Sequence, residues 1–474
     1  MMHAFSRKNL WEKLPPTLKS SVGMAVCIFS PRLLLGKSFQ QWEKLVSQAD
    51  VWEEEDVKNY QLRKVKEICT LAYNKTAYYR SSFERIGFDP NQMNSLEELQ
   101  YLPIIDKHVI NDHADALLAE GKNNGRVDWV STGGSSGQPL RFLIGANRSP
   151  VEFSHLASAW YRTGYTLTTP LAVLRGNVIK NTKSGLRFYY DPLLRRHNYS
   201  SFHMNDESMG GYLSHISAIG PCYLHAYPST LNMLVRYIHR SGKQPPKNIK
   251  GLLLESENVY QEDRKAAEEL FDVRYFSCYG HSEKLVMAAE CEHSADYHVF
   301  PTYGYCELVD GNGRPVTTPG QTGEIVGTGF INKVMPFIRY RTGDYATYVG
   351  TCCKHCGRHQ LIISNIRGHN TQEMLVAKDG SLIPWSAVNT HDDTFYGVLQ
   401  FQFEQFHVGR STLKVVPART IADSELIAKL TTGIENRLQG RLDFDVQIVD
   451  KIELTNRGKS VFVKQHLDIG NLIH

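Results

Sequence analysis

The sequence predicts an α/β protein: a large N-terminal domain of mixed sheets and helices, followed by a small, mobile α+β C-terminal domain. Three observations carry this. The chain has 474 residues, too many for one small core. Between about residues 127 and 365, short apolar runs alternate with helical stretches, the pattern of an α/β domain. The last hundred or so residues switch to strand–strand–helix–strand, a separate unit.

The elements follow in order. Residues from about 40 to 85 read as helical, because Leu62, Val65, Ile68 and Ala72 recur at helical spacing among charged residues. The helical signal ends near Gly87 and Pro90, both helix breakers, and residues from 1 to about 100 are expected to cover a sheet. Val127 to Val130 reads as a short strand running into a Gly/Ser loop. Ile249 to Leu254 is a buried-strand candidate, Gln261 to Leu270 a helix, Val273 to Phe276 a strand, and Glu324 to Thr328 a strand bounded by glycines. Further on, Leu399, Phe401 and Phe403 alternate with Gln400, Gln402 and Glu404, a half-buried strand. Leu413 to Val416 forms a second strand. Asp423 or Ser424 can cap a helix that carries Leu426, Ile427, Leu430, Ile434 and Leu438 on one face. Leu442, Phe444, Val446 and Ile448 then alternate with polar residues. The boundary is placed near Gly368, giving domains 1–367 and 368–474.

Composition limits the function classes. Hydrophobic residues make up 42% and charged residues 22%, an ordinary globular balance. A net charge of only +4 argues against a dedicated nucleic-acid binder, and the run Arg195-Arg196-His197 reads as a solvated loop. No apolar run reaches the ~18–20 residues needed to cross a bilayer. Val22 to Phe29 reads as a buried or surface-docked segment rather than a signal peptide, so a cytoplasmic location is expected. The nine cysteines do not look like a disulfide framework. Cys352, Cys353 and Cys356 fall within five residues, which points to chemistry or metal rather than packing. Cys27, Cys69, Cys222, Cys278 and Cys306 read as small core or near-surface residues.

The loop Ser131-Thr132-Gly133-Gly134-Ser135-Ser136-Gly137-Gln138-Pro139 follows a predicted strand. Glycines let the backbone approach a ligand closely, and free N–H groups with hydroxyls form a nest for phosphate oxygens. Such a loop is also a common surface turn, and no Gly-Lys-Ser/Thr closes it into a Walker A motif. Two further blocks come after it: Tyr279-Gly280-His281-Ser282-Glu283, and Arg339-Tyr340-Arg341-Thr342-Gly343-Asp344 about sixty residues on.

In that order and spacing, the three blocks resemble the adenylate-forming superfamily of acyl-CoA synthetases and adenylation domains. Leu102-Pro103-Ile104 with Lys107, His225-Ala226-Tyr227-Pro228-Ser229, Ser256-Glu257 and Arg339 to Asp344 narrow the likeness to the phenylacetate–CoA-ligase-like branch, and within it to capsular-polysaccharide biosynthesis proteins. The likeness runs from about residue 40 to the C-terminus.

The resemblance implies an ATP-dependent ligase that converts a carboxylic acid to its acyl-AMP and passes it to CoA or an amine. It implies ATP contacts from Ser131 to Gly137, Ser256, Glu257, Tyr279, Gly280, Asp344 and Arg367. Glu283 would hold Mg²⁺, a role its hard carboxylate suits. Asp344 would accept from the ribose hydroxyls. Tyr279 would stack near adenine or line the acyl pocket, which His225, Tyr227, Pro228 and Ser229 would help to form. Asn456-Arg457-Gly458-Lys459 resembles the family's C-terminal Gly-Lys, so Lys459 is the second catalytic candidate. Two positions depart from the family. Gln138 stands where a Lys is common, and the Gly-Arg hinge reads Arg367-Gly368-His369-Asn370, leaving Arg367 or His369 to replace it.

Cys353-Lys354-His355-Cys356 contains C-x-x-C, and Cys291 with His298 supplies a second pair. Three thiolates and an imidazole complete a tetrahedral structural Zn²⁺ site, with Cys352, His293 and His355 as alternative ligands. The expected partners are a small-molecule carboxylic acid and an acceptor, with no nucleic acid; a homodimer is left open. Two other readings stand beside the ligase. One is an adenylyl transferase or amide ligase acting on a sugar acid. The other is a catalytically inactive binding protein of a polysaccharide assembly.

Overall fold

A computed structural model of the chain describes residues 29–467, apart from 121–126, 132–139, 146, 176–187, 202–203, 205, 369–373, 381, 385–392, 396, 419–420, 439 and 454–460. The N-terminal cover comprises α1 (Pro31–Leu35), α2 (Lys37–Ala49), α3 (Glu54–Lys75) and α4 (Ala77–Ile86), then the short α5 (Lys107–Asp112) and α6 (Ala114–Leu117). The helical stretch expected from 40 to 85 is thus three helices, and local caps explain the breaks. Glu53 and Asp56 form a reciprocal capping box that starts α3. Thr76 accepts from the Tyr79 N–H at 3.3 Å, restarting the helix as α4.

The hairpin β1 (Val127–Ser131) and β2 (Arg141–Gly145) leads into α7 (Arg148–Tyr161). The chain then lays down β3 (Leu171–Leu174), β4 (Phe188–Asp191), β5 (Arg196–Tyr199), α8 (Asp206–Ala218), β6 (Cys222–Ala226), α9 (Pro228–Ser241), β7 (Ile249–Glu255), α10 (Gln261–Phe271) and β8 (Tyr275–Gly280). Antiparallel strands follow: β9 (Met287–Glu290), β10 (Tyr297–Val299), β11 (Gly304–Val309), β12 (Thr322–Gly329), β13 (Tyr340–Gly350) and β14 (Ile362–Arg367). Together these strands make one twelve-stranded sheet, ordered β11-β12-β13-β14-β10-β9-β8-β7-β6-β3-β5-β4. Neighbours β5, β3, β6, β7 and β8 run parallel. The antiparallel part joins them through a short β10–β14 ladder of Tyr297↔Ile363 and His298↔Ile362.

Burial explains the apolar run Leu252 to Leu254 in β7. Leu252 and Leu254 pack with the α9 residues Leu231, Leu234 and Ile238. Leu253, pointing the other way, packs with Trp160 and Ala157 of α7. A parallel strand covered on both faces has no polar side.

Arg195-Arg196-His197 is not a solvated loop, as its charge suggested. Arg196 and His197 open β5, and the Arg196 guanidinium lies 5.2 Å from the Phe153 ring centroid. The aliphatic stem of an arginine and its cation–π contact let it serve as packing.

The C-terminal segment adds the hairpin β15 (Met374–Val376) and β16 (Leu382–Pro384), then β17 (Val398–His407), β18 (Arg410–Pro417), α11 (Asp423–Leu438), β19 (Asp443–Ile448) and β20 (Val463–Gln465). Its four-stranded sheet is ordered β19-β18-β17-β20. Leu426, Leu430, Ile434 and Leu438 on one face of α11 share a core with Phe401, Phe403, Leu413 and Val415, the arrangement the alternating sequence predicts. Among the described residues, no helix is long and apolar enough to cross a membrane.

Candidate active site

The carboxyl ends of β3, β6, β7 and β8 lie side by side in the sheet. This edge of an open α/β sheet is where ligands generally bind. The Tyr-Gly-His-Ser-Glu block leaves the end of β8, and the Thr-Gly-Asp block lies within β13. The structure brings the two together: the Tyr279 hydroxyl donates to Asp344 Oδ2 at 2.7 Å. Burial, with Asp344 beside it, holds the Tyr279 hydroxyl well above the ordinary phenol value, so it stays a donor. Thr342 Oγ1 accepts from the Asp344 N–H at 3.1 Å and donates to the Ile325 carbonyl at 2.7 Å. The intervening Gly343 has φ +77°, a left-handed turn that glycine takes without strain.

Glu283 sits in the turn after β8. Burial opposes its charge, but the His281 hydrogen bond and the nearby Lys284 hold it below the ordinary carboxylate value. The His281 tautomer follows from its partners. Nε2 accepts from the Val286 N–H at 3.2 Å, so Nδ1 carries the proton toward Glu283 Oε2 at 3.0 Å. The turn is anchored by Leu285, buried in a socket lined with glycines. A Cβ on Gly327 would lie 2.8 Å from Leu285 Cβ, and one on Gly329 2.5 Å from its Cδ2. One on Gly304 would overlap the Leu285 carbonyl. These glycines serve close packing, a role the sequence alone does not disclose.

The Ser256-Glu257 segment follows β7. The Glu257 carboxylate accepts from the Ser229 N–H at 2.9 Å and its hydroxyl at 3.1 Å, so it caps the first turn of α9. Asn258 Oδ1 accepts from the Gly368 N–H at 3.1 Å. A Cβ on Gly368 would sit 3.3 Å from Asp344 Oδ1. The segment therefore touches the position just beyond β14, where Arg367 is exposed. His225 and Tyr227 are buried at the end of β6, with Pro228 and Ser229 opening α9. His225 Nε2 lies 3.0 Å from Glu255. Burial lowers His225 to about 4, so the neutral ring donates this hydrogen bond. Arg175 forms an ion pair with the same carboxylate. Burial alone would raise Glu255, yet Arg175 and the His225 hydrogen bond hold it at about 2. Sequence reasoning missed Arg175, Glu255 and Asn258. Each is a single polar residue at a strand end or in a loop, and only the sheet order unites them.

Ser131 ends β1, paired with Arg141. Thr132 to Pro139, His369 and Lys459 lie outside the described residues, so the glycine loop and the C-terminal lysine enter below only as proposals.

A second cluster lies at the β10–β14 ladder. One ligand atom each from Cys291, His298, Cys353 and Cys356 fall within 4.8 Å of one another. His298 Nδ1 donates to the Asp296 carbonyl at 3.2 Å, leaving Nε2 as the free ligand atom, 3.4 Å from Cys356 Sγ. With Zn–S distances of about 2.3 Å, tetrahedral sulfurs stand roughly 3.8 Å apart, so this set fits a zinc ion with little movement. Cys352 is exposed and outside the cluster. Cys69, Cys222, Cys278 and Cys306 are buried; Cys27 lies outside the described residues.

No family model matches the chain. Among curated proteins it is 20% identical over 371 residues to Protein CapK of Staphylococcus aureus, covering 78% of this chain and 80% of that one. It is 22% identical over 340 residues to a phenylacetate-coenzyme A ligase of Thermus thermophilus, covering 70% and 74%. A phenylacetate-coenzyme A ligase of Aromatoleum evansii is 23% identical over 376 residues, covering 75% and 84%. Among solved structures, 2-hydroxyisobutyryl-CoA ligase in the postadenylation state with 2-HIB-AMP superposes with a TM-score of 0.62 at 18% identity, covering 87% of this chain and 90% of that one. The same ligase in its thioesterification state, with 2-HIB-AMP and CoA, gives 0.57 at 18% identity, covering 89% and 92%. At that identity the structural likeness establishes the fold.

Proposed function

We propose that this chain, an AMP-forming ligase of the phenylacetate–CoA-ligase-like branch of the adenylate-forming superfamily, activates a carboxylic acid as its acyl-AMP and passes the acyl group to CoA. The observation that carries the reading is the Tyr279–Asp344 hydrogen bond of 2.7 Å, with Glu283 on the adjoining turn. It joins two sequence blocks 65 residues apart into one face at the ligand-binding edge of the sheet.

In this reading Asp344 accepts from the ribose hydroxyls, and Tyr279 fixes the Asp344 carboxylate beside the base. The substrate carboxylate oxygen attacks the α-phosphorus and pyrophosphate leaves. The CoA thiolate then attacks the acyl carbonyl, displacing AMP. The nucleophiles belong to the substrates, so the chain contributes positioning and charge neutralisation. Glu283, kept ionised beside His281, would hold Mg²⁺, which when bound neutralises phosphate charge. The loop from Ser131 to Gly137 would cradle the phosphates, and Lys459 would approach the α-phosphate from the C-terminal unit. Residues 1–367 and 368–474 act as the two moving parts, with Arg367 and Gly368 at the joint. The relative described in both postadenylation and thioesterification states supports such a division.

Cys291, His298, Cys353 and Cys356 would hold a structural zinc, since four protein ligands leave no open position for chemistry. The likeness to CapK supports a role in surface polysaccharide biosynthesis. Pyrophosphate release screened over carboxylic acids, with and without CoA, tests the function. Release that depends on one acid, with AMP freed only when CoA is present, is the expected result. AMP retained on the product would mark an adenylyl transferase, and no release with any acid would favour a binding protein.

A further inference from the structure

Arg175 follows the last residue of β3, and nothing in the reaction as described uses it. Its guanidinium pairs with Glu255 at the end of β7. It donates to Ser256 Oγ at 2.9 Å, and it lies 4.8 Å from the Tyr227 ring centroid at the end of β6. One side chain thus bridges three strand ends.

What it holds is unusual backbone. Ser256 has φ +74°, the left-handed region that a residue with a Cβ enters only at a cost. Such strain persists where surrounding contacts fix it, and here the three residues of the turn are each tied elsewhere. Ser256 is bound to Arg175, Glu257 to the start of α9 through Ser229, and Asn258 to the Gly368 N–H. Only the left-handed step at Ser256 separates the strand direction of β7 from the Glu257 and Asn258 contacts.

We propose that Arg175 is a positioning residue for nucleotide binding: by clamping Glu255 and Ser256 together it sets the turn that presents Ser256 and Glu257 to ATP. This rests on the ligase reading, which places Ser256 and Glu257 on the nucleotide side. Lysine is a poor substitute, because one ammonium cannot serve the carboxylate and the hydroxyl with the fixed fork that guanidinium provides.

ATP binding to the full chain, measured by titration calorimetry with ATP and Mg²⁺, tests this without needing the acid. Arg175→Ala should weaken ATP binding about tenfold or more, the scale of one lost charged hydrogen-bonding clamp. Ser256→Gly in the otherwise wild-type chain sets the reference. In the Arg175→Ala background it should bring binding back to within about threefold of that reference, because glycine takes a positive φ unaided. A general packing defect would not be rescued this way. Should Arg175→Ala not fold, Arg175→Lys with and without Ser256→Gly gives the same comparison. Wild-type chain that fails to bind ATP overturns the ligase reading. Wild-type chain that binds ATP while the Arg175 variants bind it equally well overturns the Arg175 assignment alone. Weakened binding that Ser256→Gly leaves unrescued also overturns it.

Discussion

Asn258 and Gly368 are joined by a 3.1 Å hydrogen bond from backbone N–H to side-chain oxygen. The bond connects the loop after β7 to the first residue past β14, beside Asp344. A change in the proposed nucleotide contacts at the loop therefore has a direct route to the joint between the proposed units. Asn258→Ala should leave ATP binding within about threefold, as one neutral hydrogen bond is lost, but should alter the ratio of adenylation to thioester-forming rates. Equal change in both half-reactions would argue against a role at the joint.

Tyr279→Phe keeps the ring and removes the bond to Asp344. The loss of a hydrogen bond to a charged acceptor is about 1.5–3 kcal/mol, so KM for ATP should rise roughly tenfold or more. Steady-state kinetics at saturating acid measure this, and an unchanged KM would separate Asp344 from the ribose.

Glu283→Gln retains an acceptor for the His281 Nδ1–H, so the variant should fold normally. Losing the carboxylate charge should cost about 10²–10³ in adenylation rate, read by pyrophosphate exchange over a range of Mg²⁺ concentrations. Near wild-type acyl-AMP formation would sink the assignment.

Purified protein, prepared without chelators, should carry one zinc per chain. Cys356→Ser should lose it together with roughly 5 °C or more of thermal stability. Cys352→Ser should keep both, because Cys352 is exposed and outside the cluster. Metal analysis of the three proteins decides. For Lys459, outside the described residues, the expectation is a drop of about two orders of magnitude in adenylation for Lys459→Ala, with transfer from supplied acyl-AMP largely spared.

His155 offers a pH test away from the chemistry. Its Nδ1 donates to the Val151 carbonyl and its Nε2 accepts from Thr302, both at 2.8 Å. Burial lowers it to about 4 from an ordinary 6.5. A depressed folded-state value means its contribution is complete above about pH 6.5 and is lost as pH falls toward 4. Denaturant unfolding of wild type and His155→Gln across that range should show a shallower pH slope in the variant. Identical slopes would mean that other groups govern acid sensitivity.

Much of this architecture was legible from periodicity. The stripe from Leu426 to Leu438 became α11 because that helix has one buried face. The alternation at Leu399 to Phe403 became β17, but Gln402 and Glu404 are buried there together with Phe401 and Phe403, so the strand is not the half-buried one its pattern suggested. Helix α7 was not legible. From Ser154 to Trp160 its residues are all buried, so no polar face marks a period. The join of β10 to β14 was hidden as well, because pairing Tyr297 with Ile363 is a long-range choice that local sequence does not encode. The Tyr279, Glu283 and Asp344 blocks were singled out through their resemblance, in order and spacing, to the adenylate-forming superfamily, and the structure joins Tyr279 to Asp344. Arg175 was not, since its partners Glu255 and Ser256 lie some eighty residues away.

The glycine socket around Leu285 bears on how this chain tolerates inherited variation. Gly304, Gly327 and Gly329 touch Leu285, and no role in ligand contact is assigned to them. Yet a methyl group at Gly304 would collide with a carbonyl two residues beyond Glu283. Drift at these three positions would therefore shift the turn that carries Glu283. In a library of random variants they should behave as silent partners of Glu283: folded proteins, ordinary surfaces, and a displaced Glu283 turn. A smaller residue at Leu285 could compensate only at Gly329, where the added Cβ meets Leu285 Cδ2. At Gly304 it meets the Leu285 carbonyl and at Gly327 the Leu285 Cβ, so paired survivors should be confined to Gly329.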